Sequence, residues 1–153
     1  MWQILEPQSE TIRTGLAELF GCDREEIAIT RNASESLETL LLGLDLKSGD
    51  EVLTTTQDYG RMLTTIRQRE QREGIKLNLI KIPIPPQNIQ EITGAFARAI
   101  TPRTRLIQIA HQVNITGQSH PSKPSVKWPG REVWKRLSMA RIHSRSSISS
   151  SRT

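Results

Sequence analysis

Three short polar segments of the chain contain residue types that commonly bind ligands. In the first, Asn32-Ala33-Ser34, small side chains, a hydroxyl and backbone N–H groups stand at the predicted start of a helix, which suits an anion such as a phosphate. The alternative is that Asn32 or Ser34 only caps the helix, with Glu35 or Glu38 assisting. The local sequence leaves both interpretations open.

The other two segments offer an aromatic ring, an imidazole and an amide. Residues 57–59 end in Tyr59, the only Tyr of the chain, whose ring can stack on a flat ligand or simply cover the edge of a sheet. The third segment places His111 and Asn114 in a loop that Gly117 makes adaptable. A lone His or Asn in a loop usually makes only local hydrogen bonds. It is the coincidence of three such segments that indicates a site.

Apolar periodicity and turn residues predict the elements that position these segments. Short apolar runs predict strands over residues 27–30, 51–56, 75–82 and 106–110. Apolar residues at helical spacing predict helices over residues 9–20, 37–44, 60–73 and 89–100, with Ser9 as a possible N-cap of the first. The alternation predicts an α/β fold, a partial three-layer sandwich with a mostly parallel sheet.

The predicted topology also says where a ligand would bind. In open parallel sheets, ligands bind beyond the carboxyl ends of the strands. The three polar segments follow the predicted strands that end at residues 30, 56 and 110. We therefore expect all three segments at that edge of the sheet.

The charge of the chain is distributed unevenly. The 153 residues carry a formal charge of +5, but residues 1–118 hold 13 Lys+Arg against 15 Asp+Glu, whereas residues 119–153 hold 8 against 1. The first part therefore carries −2 and the second +7. The second part also holds 10 Ser and little periodic apolar pattern, which predicts disorder. We divide the chain into an α/β domain, residues 1–118, and a basic, Ser-rich tail, residues 119–153.

No stretch of the sequence reads as a membrane span or a secretory signal. The apolar runs stay well below about 18 residues, and no basic region leads into an apolar stretch at the N-terminus. The single Cys22 cannot form an internal disulfide and follows Gly21, the predicted helix stop, which favours a structural role over a reactive one. These features predict a cytoplasmic location, no membrane partner and no metal site.

The segment from Ile27 to Gly117 resembles the first half of the large domain of class V aminotransferases. These are fold-type-I pyridoxal-phosphate enzymes that include cysteine desulfurases and isopenicillin N epimerase-like proteins. The resemblance is carried by the stretches ITRNASESLETLLLGLDLKSGDEVLTTTQDYGRM and ITPRTRLIQIAHQVNITGQ. It implies pyridoxal 5'-phosphate as cofactor, an amino-acid substrate that undergoes transamination, elimination, epimerisation or desulfuration, and a homodimeric parent enzyme.

The resemblance also implies roles for individual residues. Residues 32–35 match the phosphate-binding turn of the family, with Ser34 keeping the hydroxyl of the usual Thr. Tyr59 matches the ring that stacks on the pyridine, although Gly60 replaces a Pro common in the epimerase-like branch. The third segment matches a His-x-x-Asn-x-x-Gly motif whose Asn bonds the phenolic oxygen. The implied cofactor-binding residues are Asn32, Ala33, Ser34, Tyr59, His111 and Asn114.

Other residues that the family needs have no match in the chain. The Lys of the Schiff base and the Arg for the substrate carboxylate belong to family segments beyond residue 153. The Asp that keeps the pyridine nitrogen protonated belongs about 25 residues after Asn114, in a strand that ends Val-Asp-Gly-Ala-His, and residues 119–153 contain no such motif. We therefore predict no catalytic residue, weak or no cofactor binding and no activity in this chain.

A shifted reading frame explains the tail. When the frame is moved back by one base, three codon pairs have forced outcomes, namely Ala, Glu and Gly from Trp128-Pro129, Trp134-Lys135 and Met139-Ala140. The codons of Ser138-Met139, just before that Gly, permit Asp. The codons of Ala140-Arg141 and Arg141-Ile142, just after it, permit Ala and then His. An Asp-Gly-Ala-His motif then stands where the family places it. Our hypothesis is a truncated product whose tail is translated out of frame.

Two other classes of function are compatible with parts of the sequence. The basic tail, with Trp128 and Trp134 as stacking rings, is compatible with a non-specific binder of nucleic acid or anionic surfaces. A free-standing nucleotide-binding module is disfavoured because no Gly-rich phosphate fingerprint follows a predicted strand.

Overall fold

A computed structural model describes residues 2–120 and 135–138 of the chain. Two compact units divide between Glu35 and Ser36, and we describe each by itself. The first unit contains helix α1, Trp2–Phe20, and a 3₁₀ turn, Arg24–Glu26. Helix α2, Ala33–Gly43, begins at the end of the first unit. None of the described helices is long and apolar enough to cross a bilayer.

Helix α1 is longer than the periodicity predicted. It begins at Trp2 and passes through Pro7, so Ser9 lies inside the helix and the prediction of Ser9 as its N-cap was wrong. Pro7 removes one backbone donor, yet its own carbonyl accepts a hydrogen bond from the Thr11 hydroxyl at 2.9 Å. The apolar residues whose spacing predicted the helix do not form a buried face, since Ile12, Leu19 and Phe20 are all more than half exposed.

The prediction of a buried strand over residues 27–30 was also wrong. These residues form no regular structure, and Ile29 is 52% exposed. In place of strand pairing, the Ile27 carbonyl accepts a hydrogen bond from Arg13 Nε at 3.1 Å. A β-branched run becomes a strand only when another strand pairs with it, and no described strand does so here.

The second unit is built around a parallel sheet. Its strands are β1, Glu51–Thr55; β2, Lys76–Ile80; β3, Thr104–Ile109; and β4, Lys135–Ser138. They lie in the order β2-β1-β3-β4, and every adjacent pair is parallel. The connecting helices are α3, Gly60–Glu73, and α4, Ile89–Ala99. The predicted α/β class and parallel sheet are confirmed.

Apolar side chains fill both faces of the sheet. On one face, α2 and α3 pack on the sheet through the residues Leu37, Leu41, Val52, Met62, Ile66, Ile75 and Leu106. On the other face, α4 packs through the residues Leu53, Ile82, Ile92, Phe96, Ile107 and Ile109. Neighbouring residues of β1 point to opposite faces, so all five are buried. The result is the three layers that the sequence predicted.

Strand β4 lies in the segment for which the sequence predicted a disordered tail. It pairs with β3 so that Lys135 lies beside Leu106 and Ser138 beside Ile109. The remaining residues of that tail, 121–134 and 139–153, lie outside the described residues. These four residues form a strand through backbone pairing with the edge of β3. The sequence did not predict it, because their side chains do not alternate between apolar and polar.

Buried polar groups close β1 at its amino end. Glu51 is 6% exposed, and its carboxylate accepts hydrogen bonds from the hydroxyls of Thr101, at 2.7 Å, and Thr104, at 3.3 Å. Arg103 adds an ion pair at 3.3 Å. The network joins β1 to the turn before β3, far from the edge where ligands are expected.

Candidate functional site

The carboxyl edge of the sheet contains a second buried carboxylate. Asp58 follows β1 and is 5% exposed. Its Oδ2 accepts hydrogen bonds from Thr54 Oγ1 at 2.7 Å and from Gln108 Nε2 at 3.1 Å, while its Oδ1 accepts one from the backbone N–H of Tyr59 at 2.7 Å. Asp58 therefore joins two neighbouring strands to the loop after β1.

Gln108 is a fully buried amide within an otherwise apolar strand. It lies on the same face as Leu106, two residues away, at the point where the apolar layer gives way to polar groups. Because its NH₂ group donates to Asp58, its Oε1 points elsewhere, and no described residue donates to that oxygen. The edge thus holds a buried hydrogen-bond acceptor that lacks a donor.

His120 provides a second acceptor of this kind. The ring is 2% exposed, its Nδ1 lies 2.9 Å from the Ala110 carbonyl, and its Nε2 has no hydrogen-bond partner among the described residues. A carbonyl can only accept, so Nδ1 carries the proton and Nε2 is bare in the neutral ring. Burial lowers the pKa of His120 below its ordinary value, although the Ala110 carbonyl and the charge of Asp58 oppose the shift.

Tyr59 lies between the loop that follows β1 and the first residue of α3. Its carbonyl accepts the first backbone hydrogen bonds of α3, from Met62 at 2.9 Å and Leu63 at 3.3 Å. The side chain makes no capping hydrogen bond, and the residue is 43% exposed. A ring held by its backbone yet open to solvent can stack on a flat ligand. It does not form part of the packed core.

The loop after β3 is a closed hairpin that carries His111 and Asn114. The Val113 N–H donates to the Gln118 carbonyl at 2.9 Å, and the His120 N–H donates to the His111 carbonyl at 2.8 Å. Gly117 completes the turn with a φ of 70°, a conformation that favours glycine. Buried Val113 holds the hairpin, while the Asn114 side chain is exposed beside it.

The two loops of the second unit are neighbours. Asp58, in the loop after β1, accepts a hydrogen bond from Gln108 of β3, and the hairpin that follows β3 places the His120 ring against the Ala110 carbonyl. The carboxyl edge therefore brings the segment that carries Tyr59 close to the segment that carries His111 and Asn114.

The first predicted segment belongs to the first unit and has a clear capping role. Asn32 Oδ1 accepts a hydrogen bond from the Glu35 N–H at 2.9 Å, and Glu35 Oε2 accepts one from the Arg31 N–H at 2.9 Å. The backbone and side-chain donors of Arg31 hold the pKa of Glu35 below its ordinary value. Capping by Asn32 is thus confirmed.

Capping leaves part of this segment available for an anion. Among the described residues, nothing hydrogen-bonds the Ser34 hydroxyl, and the amides of Ala33 and Ser34 lie in the first turn of α2, where no helical acceptor exists. A hydroxyl and two amides at a helix start can bind one face of a phosphate. The capping interpretation is therefore confirmed for Asn32, and anion binding by the Ser34 hydroxyl and the first-turn amides stays a prediction.

Asp58, Gln108 and His120 were missed by the sequence reasoning. A polar residue inside the apolar run Leu106–Ile109 was a usable signal for Gln108. Asp58 was noticed only as a neighbour of Tyr59, and His120 fell within the segment assigned to the tail. No group of three or more His, Cys, Asp and Glu side chains in the described part of the chain could hold a metal ion.

Solved structures define the class of fold. The chain superposes with a TM-score of 0.80 on the structure of a mutant of C-DES with glycine covalently linked to the PLP cofactor, at 24% identity, covering 90% of this chain and 37% of that one. It superposes with a TM-score of 0.64 on apo cysteine desulfurase from Thermococcus onnurineus NA1, at 26% identity, covering 78% and 29%. The chain therefore has part of the fold of fold-type-I pyridoxal-phosphate enzymes.

Sequence comparison defines the family. The profile described as Aminotransferase class-V matches residues 3–128, most of the chain. The chain belongs to the aminotransferase class-V family.

Two relatives show how much of such a protein this chain represents. It is 31% identical to isopenicillin N epimerase from Streptomyces clavuligerus, over 72% of this chain and 28% of that protein. It is 28% identical to a probable cysteine desulfurase from Pyrococcus abyssi (strain GE5 / Orsay), over 77% and 29%. The chain thus spans less than a third of either relative.

Proposed function

We propose that this chain is a part of a pyridoxal-phosphate-dependent enzyme that acts on amino acids by transamination, elimination, epimerisation or desulfuration. The observation that carries the proposal is the family match over residues 3–128. It is supported by the epimerase and desulfurase names of the relatives and by the two polar segments that follow β1 and β3 at the carboxyl edge. The complete enzyme would act as a homodimer, as the resemblance implies.

The residues present fit several parts of the proposed cofactor. The open Ser34 hydroxyl and the first-turn amides of α2 suit its phosphate, and the exposed Tyr59 ring suits a flat pyridine. Asn114, exposed on its hairpin, would donate to the phenolic oxygen, with His111 beside it. When bound, pyridoxal phosphate supplies an electron sink for bonds at the α-carbon of an amino acid.

In this proposal the chain holds and orients the cofactor but has no groups for the chemical step. No residue of the chain is assigned as the covalent Lys, as the Asp at the pyridine nitrogen or as the Arg for the substrate carboxylate. Without a group to move a proton at the α-carbon, binding does not become turnover. We therefore propose weak cofactor binding and no catalysis by the chain as given.

Ligand titration tests this function. The probe is pyridoxamine 5'-phosphate, which has no aldehyde and so cannot react with surface Lys residues. We expect weak, saturable binding that Ser34→Ala and Tyr59→Ala each reduce by roughly 10-fold, and that exposed Arg67→Met leaves unchanged. Absence of saturable binding, or binding that is indifferent to both variants, would contradict the proposal.

The origin of the tail has its own test. We propose that the tail is translated out of frame, because the shifted codons force Ala, Glu and Gly and permit Asp-Gly-Ala-His in the family's position. The shifted motif begins where β4 ends, at the codons of Ser138 and Met139. The nucleotide sequence of the gene decides the matter. A neighbouring frame that encodes no family-like continuation would refute the proposal.

A further inference from the structure

We propose that Asp58 is a positioning residue of the candidate site. Its buried carboxylate holds the loop that carries Tyr59 against β1 and β3. The inference rests on the proposed function, because Tyr59 is the ring that would face the cofactor. Asp58 itself contacts no ligand in this assignment and acts through Tyr59.

The chemistry around Asp58 favours geometry over stability as its role. Its three hydrogen-bond donors, from Thr54, Gln108 and the Tyr59 backbone, are all neutral. Among the described residues, no Lys or Arg forms an ion pair with it. A buried carboxylate without a paired cation loses hydration that hydrogen bonds only offset, so an apolar side chain would serve packing equally well. What the carboxylate adds is three directional bonds that converge on one loop.

Strand β1 supplies an internal comparison, since one buried carboxylate, Glu51, begins it and another, Asp58, lies in the loop that follows it. Glu51 accepts from two Thr hydroxyls and pairs with Arg103, and all its partners lie in the turn before β3 or at its start. Asp58 accepts from one Thr hydroxyl, one amide and the backbone of an exposed aromatic residue. The two groups have similar burial, but only Asp58 controls a residue at the carboxyl edge.

The pairing of Asp58 with Gln108 has a defined polarity. The carboxylate accepts and the amide donates, which leaves Gln108 Oε1 as the unpartnered acceptor. In the double variant Asp58→Asn/Gln108→Glu, the new amide at position 58 donates to the new carboxylate at position 108. The direction of the bond is reversed while the connection between loop and strand is kept. If this variant behaves as the wild type does, the hydrogen bond between loop and strand is what matters, and not the identity of either side chain.

The first arm of the test uses the unliganded chain. Because Tyr59 is the only Tyr, a ¹³C-labelled tyrosine ring gives a single NMR signal. We expect Asp58→Ala to shift that signal and to speed exchange of the Tyr59 amide hydrogen by roughly 10-fold or more. Gln108→Met, a milder change, should have a smaller effect in the same direction, and the double variant should restore both readouts. Glu51→Gln should leave them unchanged.

The second arm measures binding of pyridoxamine 5'-phosphate by the same ring signal. We expect Asp58→Ala to weaken binding roughly 10-fold, with recovery in the double variant and no change in Glu51→Gln. Equal weakening by Glu51→Gln would show general destabilisation and would overturn the positioning role. So would an unchanged Tyr59 signal and amide exchange in Asp58→Ala. Absence of binding to the wild-type chain would instead contradict the proposed function, and Asp58 would then have no cofactor site to position.

Discussion

At the scale of single residues, the buried His120 makes the stability of the chain depend on pH. The folded chain keeps the ring neutral because burial lowers its pKa, whereas the unfolded chain protonates it near the ordinary value of 6.5. Below that pH the unfolded state binds more protons, so the free energy of unfolding falls as pH is lowered. Above it, both states are neutral at this residue and the contribution is constant.

We therefore predict a loss of stability between about pH 7.5 and about pH 5.5 that depends on His120. His120→Asn keeps a donor for the Ala110 carbonyl but cannot titrate, so its unfolding free energy should vary less over this interval. Urea unfolding at each pH measures the difference. Asn114→Ala, an exposed position on the same hairpin with a side chain that does not titrate, is the control and should retain the wild-type dependence. Identical pH profiles for wild type and His120→Asn would rule out the effect.

Substitution by Ala should lower the stability of the chain at Asn32 but not at Ser34. Asn32→Ala removes the acceptor for the Glu35 N–H and should lower stability by about 1 kcal/mol. Ser34→Ala removes a hydroxyl that has no described partner and should stay within about 0.5 kcal/mol of wild type. Thermal unfolding checks both values. A larger stability loss from Ser34→Ala would show that its hydroxyl has a structural task.

At the scale of elements, Arg69 connects two helices through their backbones. It lies on α3, is 4% exposed, and donates to the carbonyls of Leu41 and Leu44 at the end of α2. Glu73, one turn further along α3, accepts from its Nε at 2.7 Å and has its pKa lowered by that bond. The last carbonyls of a helix have no helical partner, so the guanidinium completes α2.

Loss of this connection should be costly. Arg69→Met leaves one buried and one partly buried carbonyl without their Arg69 donors, and we expect a loss of roughly 2–3 kcal/mol in the free energy of unfolding. Arg67→Met, an exposed position two residues away, should change it by less than about 0.5 kcal/mol. Denaturant unfolding of both variants makes the comparison. Equal effects at the two positions would contradict the capping role.

Elements whose signals are local were predictable, and α3 shows why. Its bounds agree with the prediction because Gly74 ends the helix with a φ of 73°, a conformation that favours glycine. Any other residue at this position would also bring its Cβ to 2.6 Å from the Ser48 hydroxyl oxygen. The wrong strand over residues 27–30 shows the limit, since pairing depends on a partner elsewhere in the chain. The bond between Asp58 and Gln108 joins residues 50 positions apart and follows from the register of β1 and β3. No local pattern encodes that register.

At the scale of the whole molecule, the separation of charge predicts how the chain meets polyanions. Residues 119–153 carry +7 against −2 for the rest, so weak attraction to DNA at low salt is expected through counterion release. We predict that binding disappears between about 50 mM and about 200 mM salt, and that replacing the tail's Lys and Arg by Gln abolishes it. Fluorescence anisotropy with a labelled duplex measures this. Sequence-selective binding that survives at high salt would favour the binder interpretation.

The central place of β1 also sets the order in which the chain can fold as it is synthesised. Val52 pairs with Leu106, which is made 54 residues later. At roughly 5–20 residues per second, β1 waits on the order of several seconds before its second neighbour leaves the ribosome. During that delay the edge of β1 that will pair with β3 has unpaired backbone N–H and C=O groups, and β2 is its other neighbour among the described strands. This interval is when a ribosome-bound chaperone would have most to protect.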